Sequence, residues 1–420
     1  MATQRNGVVK VYRRDSVSTR IAKFVESLDV RVFLFACFIA GVFFMTLSRR
    51  VSDVCWFMAA IALIVMAMKR DWVRGSLDLQ VVAFSIAVTA SIIFSIDKGL
   101  TLRYLKKDVL RFLVIYFAGV QALRDEKNIL WLCRVWLISV LITMLLGLGH
   151  YSKAHRLEGL FGASTRYGKY LDLIVPFAIA FFTVPGNLIH ALLIGAAIIV
   201  AVYSVVLTMT RGAWIGISLG VFSFFAITKR WKWALVSILL VLTVFLISPS
   251  RNKIYHRFLS VINVRKTIKT DHSLKQRFAF YKTAIELIRE RPMGWGYGRK
   301  IPRKIKKLKG EGWFKEKGLT PFTWHCHDSY LEIILETGFL GFAAFIWLMA
   351  SAIFMCIKNM KNSDNTMRYT VSAGILCSLI ALMTHGIWTN IFQMPLIFIV
   401  AMYLAMISSM ARGDKVASKD

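Results

Sequence analysis

Two histidines flank a cysteine in Trp324-His325-Cys326-His327-Asp328-Ser329-Tyr330-Leu331, where a strongly basic segment gives way to an apolar run from Leu331 to Met355. They are two of only eight histidines in 420 residues. Imidazole has an ordinary pKa close to neutrality, so a histidine at the lip of a membrane helix can take a proton from a substrate hydroxyl. The stretch admits four readings. A metal site is one, although adjacent residues rarely ligate one ion and no HxxxH or CxxC spacing accompanies them. A nucleophilic Cys326 is the second. The third is structural, with Asp328 or Ser329 capping the helix that follows. The fourth, a histidine general base, is the one the residue types favour. Neighbouring arginines would depress the imidazole pKa and keep it neutral.

Three more places carry charge close to apolar runs. Arg211, in Thr208-Met209-Thr210-Arg211-Gly212-Ala213-Trp214, sits between two such runs with almost no polar linker. It is either an interfacial arginine anchored by Trp214 or a cation facing a substrate. Arg156 and Arg166 fall in a short loop, His155 to Lys169, upstream of Asp172. Asp172 is expected to pair with Lys169 at i−3. Arginine suits such positions because its planar fork stays charged and grips phosphate oxygens two at a time. Arginines converging from separate loops would make a pyrophosphate clamp.

The elements that must position these residues are membrane helices. Of the residues, 57% are hydrophobic, where a soluble protein is nearer ~45–50%. Twelve apolar runs approach the ~20 residues that cross a ~30 Å hydrocarbon core. They cover roughly 31–49, 52–69, 78–95, 109–125, 129–149, 169–185, 187–208, 212–228, 232–249, 329–357, 370–388 and 391–410. The tenth is longer than a perpendicular crossing needs, which predicts a tilt or an exposed end. Pro185-Gly186-Asn187 predicts a tight reversal. The fold class expected is an all-α polytopic membrane protein with about 12 transmembrane helices. The segments are a polar N-terminus (1–30), nine spans (31–249), one large basic loop (250–328), three spans (329–410) and a short tail (411–420).

No cleavable leader pattern precedes the first span, which would act as an uncleaved insertion signal. Basic residues set the orientation. Lys10, Arg13, Arg14, Arg20 and Lys23, then Lys69, Arg70 and Arg74, Lys229, Arg230 and Lys232, Lys358, Lys361 and Arg368, and Arg412 and Lys415 all fall on one side if the N-terminus is cytoplasmic. Arg49, Arg50, Arg103, Lys106 and Lys107 oppose the rule without reversing it. The six cysteines are scattered at 37, 55, 133, 326, 356 and 377 and read as small buried hydrophobes.

The long loop then faces away from the cytoplasm. Between Arg251 and His327 it holds 20 Lys+Arg against 5 Asp+Glu, a net charge of about +15 within the chain's +31. Its densest cluster is Arg303, Lys304, Lys306, Lys307 and Lys309. That charge suits anionic lipid headgroups or phosphate-bearing substrates. Nucleic acid is a poor partner on this side of the membrane. Within the loop a helix is expected from Ser273, with Phe278, Tyr281, Ile285 and Ile288 on one face, ended by Pro292. Gly294, Gly296 and Gly298, alternating with Trp295 and Tyr297, predict a compact turn with aromatic anchors.

His327-Asp328-Ser329-Tyr330-Leu331 continuing to Glu336-Thr337-Gly338-Phe339-Leu340-Gly341 resembles a motif of the O-antigen ligase and polymerase superfamily. Thr210-Arg211-Gly212-Ala213-Trp214 looks like that family's S/T-R-G-x-W element. Ser273 to Gly298, with Arg277 and Pro292, looks like its periplasmic-loop element. The similarity covers roughly residues 190–345, and Arg156 to Gly168 resembles a weaker upstream element. The resemblance implies an integral-membrane glycosyltransferase related to the GT-C fold, in the bacterial inner membrane with a periplasm-facing site. It implies transfer of a glycan from undecaprenyl pyrophosphate to a sugar of lipid A–core, with inversion and with neither metal nor other cofactor. By position, His327 would be the general base. Arg211 and Arg277, with Arg156 and Arg166, would hold the pyrophosphate. His325, Asp328 and Trp214 would support them. Two positions depart from the family. Asp328 stands where Asn is usual, and Ala163-Ser164-Thr165-Arg166 replaces an Asn-Pro-Asn-like run. An O-antigen polymerase shares the same motifs. A lipid-linked glycan transporter is a third reading, but its charges would face a midplane cavity rather than gather on one face.

Overall fold

The computed structural model describes residues 29–151, 156–248, 251–262, 272–361, 365–391 and 396–411. The polar N-terminus and the C-terminal tail, with their orienting cations, lie outside these residues except for the last and first one or two positions. Every regular element among the described residues is helical. In chain order they are α1 (Val30–Leu47), α2 (Arg49–Met68), α3 (Asp78–Phe94), α4 (Lys98–Ala122), α5 (Glu126–Gly149), a 3-10 turn (Gly159–Phe161), α6 (Ser164–Phe182), α7 (Leu188–Thr208) and α8 (Arg211–Thr228). Then come α9 (Trp231–Ile247), α10 (Arg251–Ile262), α11 (His272–Glu290), α12 (Ile301–Glu316), α13 (Ser329–Lys361), α14 (Thr366–Gly386) and α15 (Leu396–Met410).

Each of the twelve apolar runs lies on a helix. Seven of these, α1, α2, α5, α7, α8, α13 and α14, are long and apolar enough to cross a membrane. Three more, α3, α9 and α15, are apolar but shorter. The remaining two, α4 and α6, carry charges in their N-terminal halves. The chain is a polytopic α-helical membrane protein. The expected loop is itself largely helical, made of α10, α11 and α12.

Helices α6, α14 and α15 are buried on almost every side and form the interior. Most apolar side chains of α9 are exposed, Val244 alone is buried and Ala234, Leu240 and Phe245 are half-buried, as suits a helix with one face toward lipid. Lipid tails are as apolar as leucine, so close packing and interhelical hydrogen bonds must hold such a bundle. Both are visible here. Gly212, Gly216 and Gly220 recur every fourth residue along α8, and a Cβ on each would lie 2.4–2.6 Å from His385, the Ala381 carbonyl and the Cys377 carbonyl of α14. Pro176 interrupts the ladder of α6, and nearby the Leu173 carbonyl accepts from Ser378 (2.8 Å) and Tyr403 (2.5 Å). His385 Nδ1 lies 2.6 Å from the Asp172 carboxylate. Asp172 is therefore hydrogen-bonded across to α14, while Lys169, the expected partner at i−3, acts on it through its charge. Lys169 instead reaches the Asn390 carbonyl at 2.5 Å, because the two side chains leave α6 toward different neighbours.

The excess length of the tenth run is absorbed by a break. Gly338 adopts φ 71 inside α13, a left-handed conformation that only glycine takes without strain. The turn after α11 fills this break. Trp295 N–H donates to Leu335 O (2.8 Å), Gly296 N–H to Glu336 O (3.0 Å) and Phe339 N–H to Pro292 O (3.1 Å). Gly294 is itself at φ 91, and a Cβ there would lie 2.7 Å from Gly338 N. The glycine turn is thus a docking surface for the broken helix, and Trp295, fully buried, is its anchor.

Helix α11 ends just before Pro292, as expected; of the expected face Ile288 is buried and Tyr281 half-buried, but the buried stripe is turned away from Phe278 and Ile285. Phe280, Thr283, Ala284, Leu287 and Ile288 point inward, whereas Phe278 and Ile285 are 47% and 41% exposed. Two apolar stripes fit the sequence, and the one containing small Ala284 permits the closer approach. All six cysteines are free; Cys133, Cys326, Cys356 and Cys377 are buried, while Cys37 and Cys55 are half-buried. Asn187 caps α7 by accepting from His190 N–H (3.0 Å), so the reversal at 185–187 forms as its sequence requires.

Candidate functional site

The histidine segment runs from the end of the basic cap into the first turn of α13. Asp328 caps that helix, accepting from Leu331 N–H at 2.8 Å. Its carboxylate is used on this cap, which agrees with the structural reading of the segment. Ser329 ties the turn to the end of α14, donating to Thr389 O (2.6 Å) and accepting from Ile391 N–H (2.9 Å). Tyr330 adds a bond to Met383 O (2.8 Å). Thus the N-terminus of α13 and the C-terminus of α14 form one joint.

His327 projects from this joint with φ 66, outside the usual region for a side-chain-bearing residue. Its ring stacks on Phe280 of α11, centroids 6.0 Å apart and planes 8° from parallel. His325 meets it edge-on, with centroids 4.2 Å apart. Tyr281, the next residue of α11, places its hydroxyl 3.1 Å from both His327 O and Ile387 O. Burial pushes His327 down to about 4, helped by the charges of Arg277 and Lys169. Burial pushes His325 down to about 3, with His327, Lys169, Arg277 and Arg166 adding to the effect. Both rings are neutral at pH 7 and able to accept a proton. Between them Cys326 is fully buried. Its thiol donates to Asp328 O (3.3 Å), and burial holds it well above the ordinary thiol range, so it is no nucleophile.

The cations approach from separate helices. Arg277 stands on α11 three residues before Phe280 and is half-buried, close enough to depress both imidazoles. Lys169 of α6 acts on both in the same way and is 2% exposed. Arg166, one turn earlier, donates to Phe161 O (2.8 Å) and acts on His325. Arg211 opens α8 after a two-residue reversal in which Met209 takes φ 48. Its neighbour Gly212 lies against the His385 ring, which sets Arg211 on the same α6–α8–α14 junction. Arg257 of α10 crosses this reversal, donating to Met209 O (3.3 Å).

Two further expected participants make contacts of their own. Arg156 is exposed, on a strand of chain held by Leu157 N–H to Leu207 O (3.0 Å). Trp214 donates its indole N–H to Val205 O (3.0 Å) and lines an apolar cavity of about 770 Å³ with Val206, Phe245 and Tyr255. It anchors α8 to α7. The sequence reading passed over Lys169 as a base-facing cation, and it passed over Phe280, Tyr281 and Glu332. A lysine and a glutamate inside apolar runs are the signals that could have found two of them.

A polytopic helical membrane protein with a neutral histidine ringed by cations is the class defined by this geometry. Residues 196–346 match a family model described as O-antigen ligase, so this stretch of the chain is similar to that family. The match takes in Arg211, Trp214, Arg277, His325, His327 and Asp328, and leaves out Arg156 and Arg166. The chain is also 28% identical over 191 residues to a protein of Haemophilus influenzae (strain Rd) described only as uncharacterized, a stretch of 43% of this chain and 47% of that protein. The chain thus spans about half the length of that relative.

Proposed function

We propose that this protein is a glycosyltransferase of the O-antigen ligase type, moving a glycan from undecaprenyl pyrophosphate onto a hydroxyl of lipid A–core at the periplasmic face of the inner membrane. The observation that carries the reading is the neutral His327 ring set beside Arg277 and Lys169. A base and an anion-binding group are the two halves of this transfer. His327 takes the proton of the acceptor hydroxyl. The acceptor oxygen attacks the anomeric carbon, the bond from that carbon to the pyrophosphate oxygen breaks with inversion, and undecaprenyl pyrophosphate leaves. Arg277, Lys169 and Arg211 stabilise the charge that develops on the leaving group. Arg166 and Arg156 serve the outer edge of the same anion. The apolar cavity beside α8 offers room for part of the carrier's lipid chain.

The basic cap suits an acceptor rich in phosphate, which supports a ligase over a polymerase. Purified protein incubated with undecaprenyl-pyrophosphate glycan and lipid A–core tests this. Appearance of long-chain glycan on lipid A–core supports the ligase. Extension of the undecaprenyl-linked glycan instead assigns a polymerase. Movement of lipid-linked glycan across vesicles without a covalent product assigns a transporter.

A further inference from the structure

The backbone on both sides of His327 is gripped by residues that take no part in the proposed chemistry. We propose that Glu332, together with Tyr281, is a positioning residue that holds the general base in its strained conformation. The inference rests on the glycosyl-transfer reading above.

Glu332 lies in the first turn of α13 and is only 2% exposed. A carboxylate buried in a membrane-facing helix is costly and calls for a role. Its Oε2 accepts from Cys326 N–H at 2.8 Å, in the peptide that precedes Cys326. Its own N–H donates to Asp328 O at 3.1 Å, so the carboxylate folds back over the turn its backbone helps to begin. This extends the reach-back of a capping box beyond the capping residue. On the far side of His327, the Tyr281 hydroxyl lies 3.1 Å from the His327 carbonyl. Cys326 N–H and His327 C=O are therefore both pinned, one by α13 and one by α11. A left-handed conformation at a residue with a side chain persists only where its surroundings impose it, and these two bonds impose it. Among the described residues the other oxygen of Glu332 has no hydrogen-bond partner, so the clamp accounts for the placement of the group.

The test uses the full chain purified in detergent with the donor and acceptor above. Glu332→Leu removes the acceptor and frees the turn. We expect kcat to fall about 100-fold with donor KM within about twofold, the size of effect that a roughly 1 Å displacement of a reacting group produces. Glu332→Gln keeps an oxygen that can accept the same N–H, and should recover kcat to within about fivefold of the unaltered protein. A Leu variant with unaltered kcat overturns the proposal, as does a folded Gln variant that falls as far as Leu. If Glu332→Leu does not elute as a single species, Tyr281→Phe replaces it. A loss of about tenfold in kcat supports the clamp, and an undiminished kcat overturns it. His327→Ala is assayed alongside. Activity retained there sinks the base itself, whereas an inactive His327→Ala beside a fully active Glu332→Leu sinks the clamp alone.

Discussion

At the scale of single residues, the proposed mechanism depends on keeping one imidazole unprotonated. The folded-state pKa of His327 is depressed to about 4 by burial, Arg277 and Lys169. The base is therefore ready above that pH, and is lost only as pH falls through it. The acid limb of kcat/KM, which reports the free enzyme, should inflect well below the ~6.5 of an ordinary histidine. Arg277→Gln should move that inflection upward, because a neighbouring positive charge is gone. A limb at ordinary histidine pH in the unaltered protein would show that the ring is not so placed. His327→Ala should lower kcat by about 10²–10⁴-fold, the range for loss of a general base, while donor binding persists. The candidates His327, Arg211 and Arg277 were legible as such beforehand, because they sit in recognisable spacings. Lys169, Phe280 and Tyr281 were not, because their approach depends on how α6 and α11 pack, which no local pattern states. Asp328 was legible as a cap, and the cap is where its carboxylate is used.

At the scale of elements, two glycine contacts fix the geometry. The first is the stripe of Gly212, Gly216 and Gly220 that lets α8 lie against α14. A side chain there must displace a backbone carbonyl, and overpacking of this kind costs about 1–3 kcal/mol. Gly216→Val should therefore lower the thermal midpoint of the purified protein, and by shifting Arg211 should raise donor KM. A midpoint and KM both unchanged would mean the helices are not so close. The second contact is the Gly294–Gly338 crossing that seats the cap on broken α13. Helix existence was readable from the length of the apolar runs, and each apolar run lies on a helix. The face of α11 was not, since two stripes satisfied the same spacing. Nor was the break at Gly338, because glycine within an apolar run fits a continuous helix as well as a broken one.

At the scale of the whole molecule, the charge is unevenly placed. About +15 of the net +31 falls between Arg251 and His327. Part of it is satisfied internally, since Lys304 pairs with Asp97 (2.9 Å), Lys317 with Glu286 (2.6 Å), and Lys309 with Glu290. Lys309 also lies over the Trp295 and Trp313 rings. The remainder gives the cap a positive field that attracts anionic lipid-borne molecules. Salt screens such attraction over about 10 Å at 0.1 M. KM for lipid A–core should thus rise severalfold between 50 and 500 mM salt, with kcat nearly constant. A salt-insensitive KM would remove the field from the account. Composition alone revealed this asymmetry, whereas the internal pairing needed the helices in place.

The backward twist at His327 has one more consequence. A side-chain-bearing residue at φ 66 sits about 1–2 kcal/mol above its relaxed state, and glycine carries no such cost. The protein therefore tolerates a local instability in order to present this imidazole. His327→Gly should be inactive yet melt at a higher temperature than His327→Ala, so that durability and catalysis pull in opposite directions at a single position.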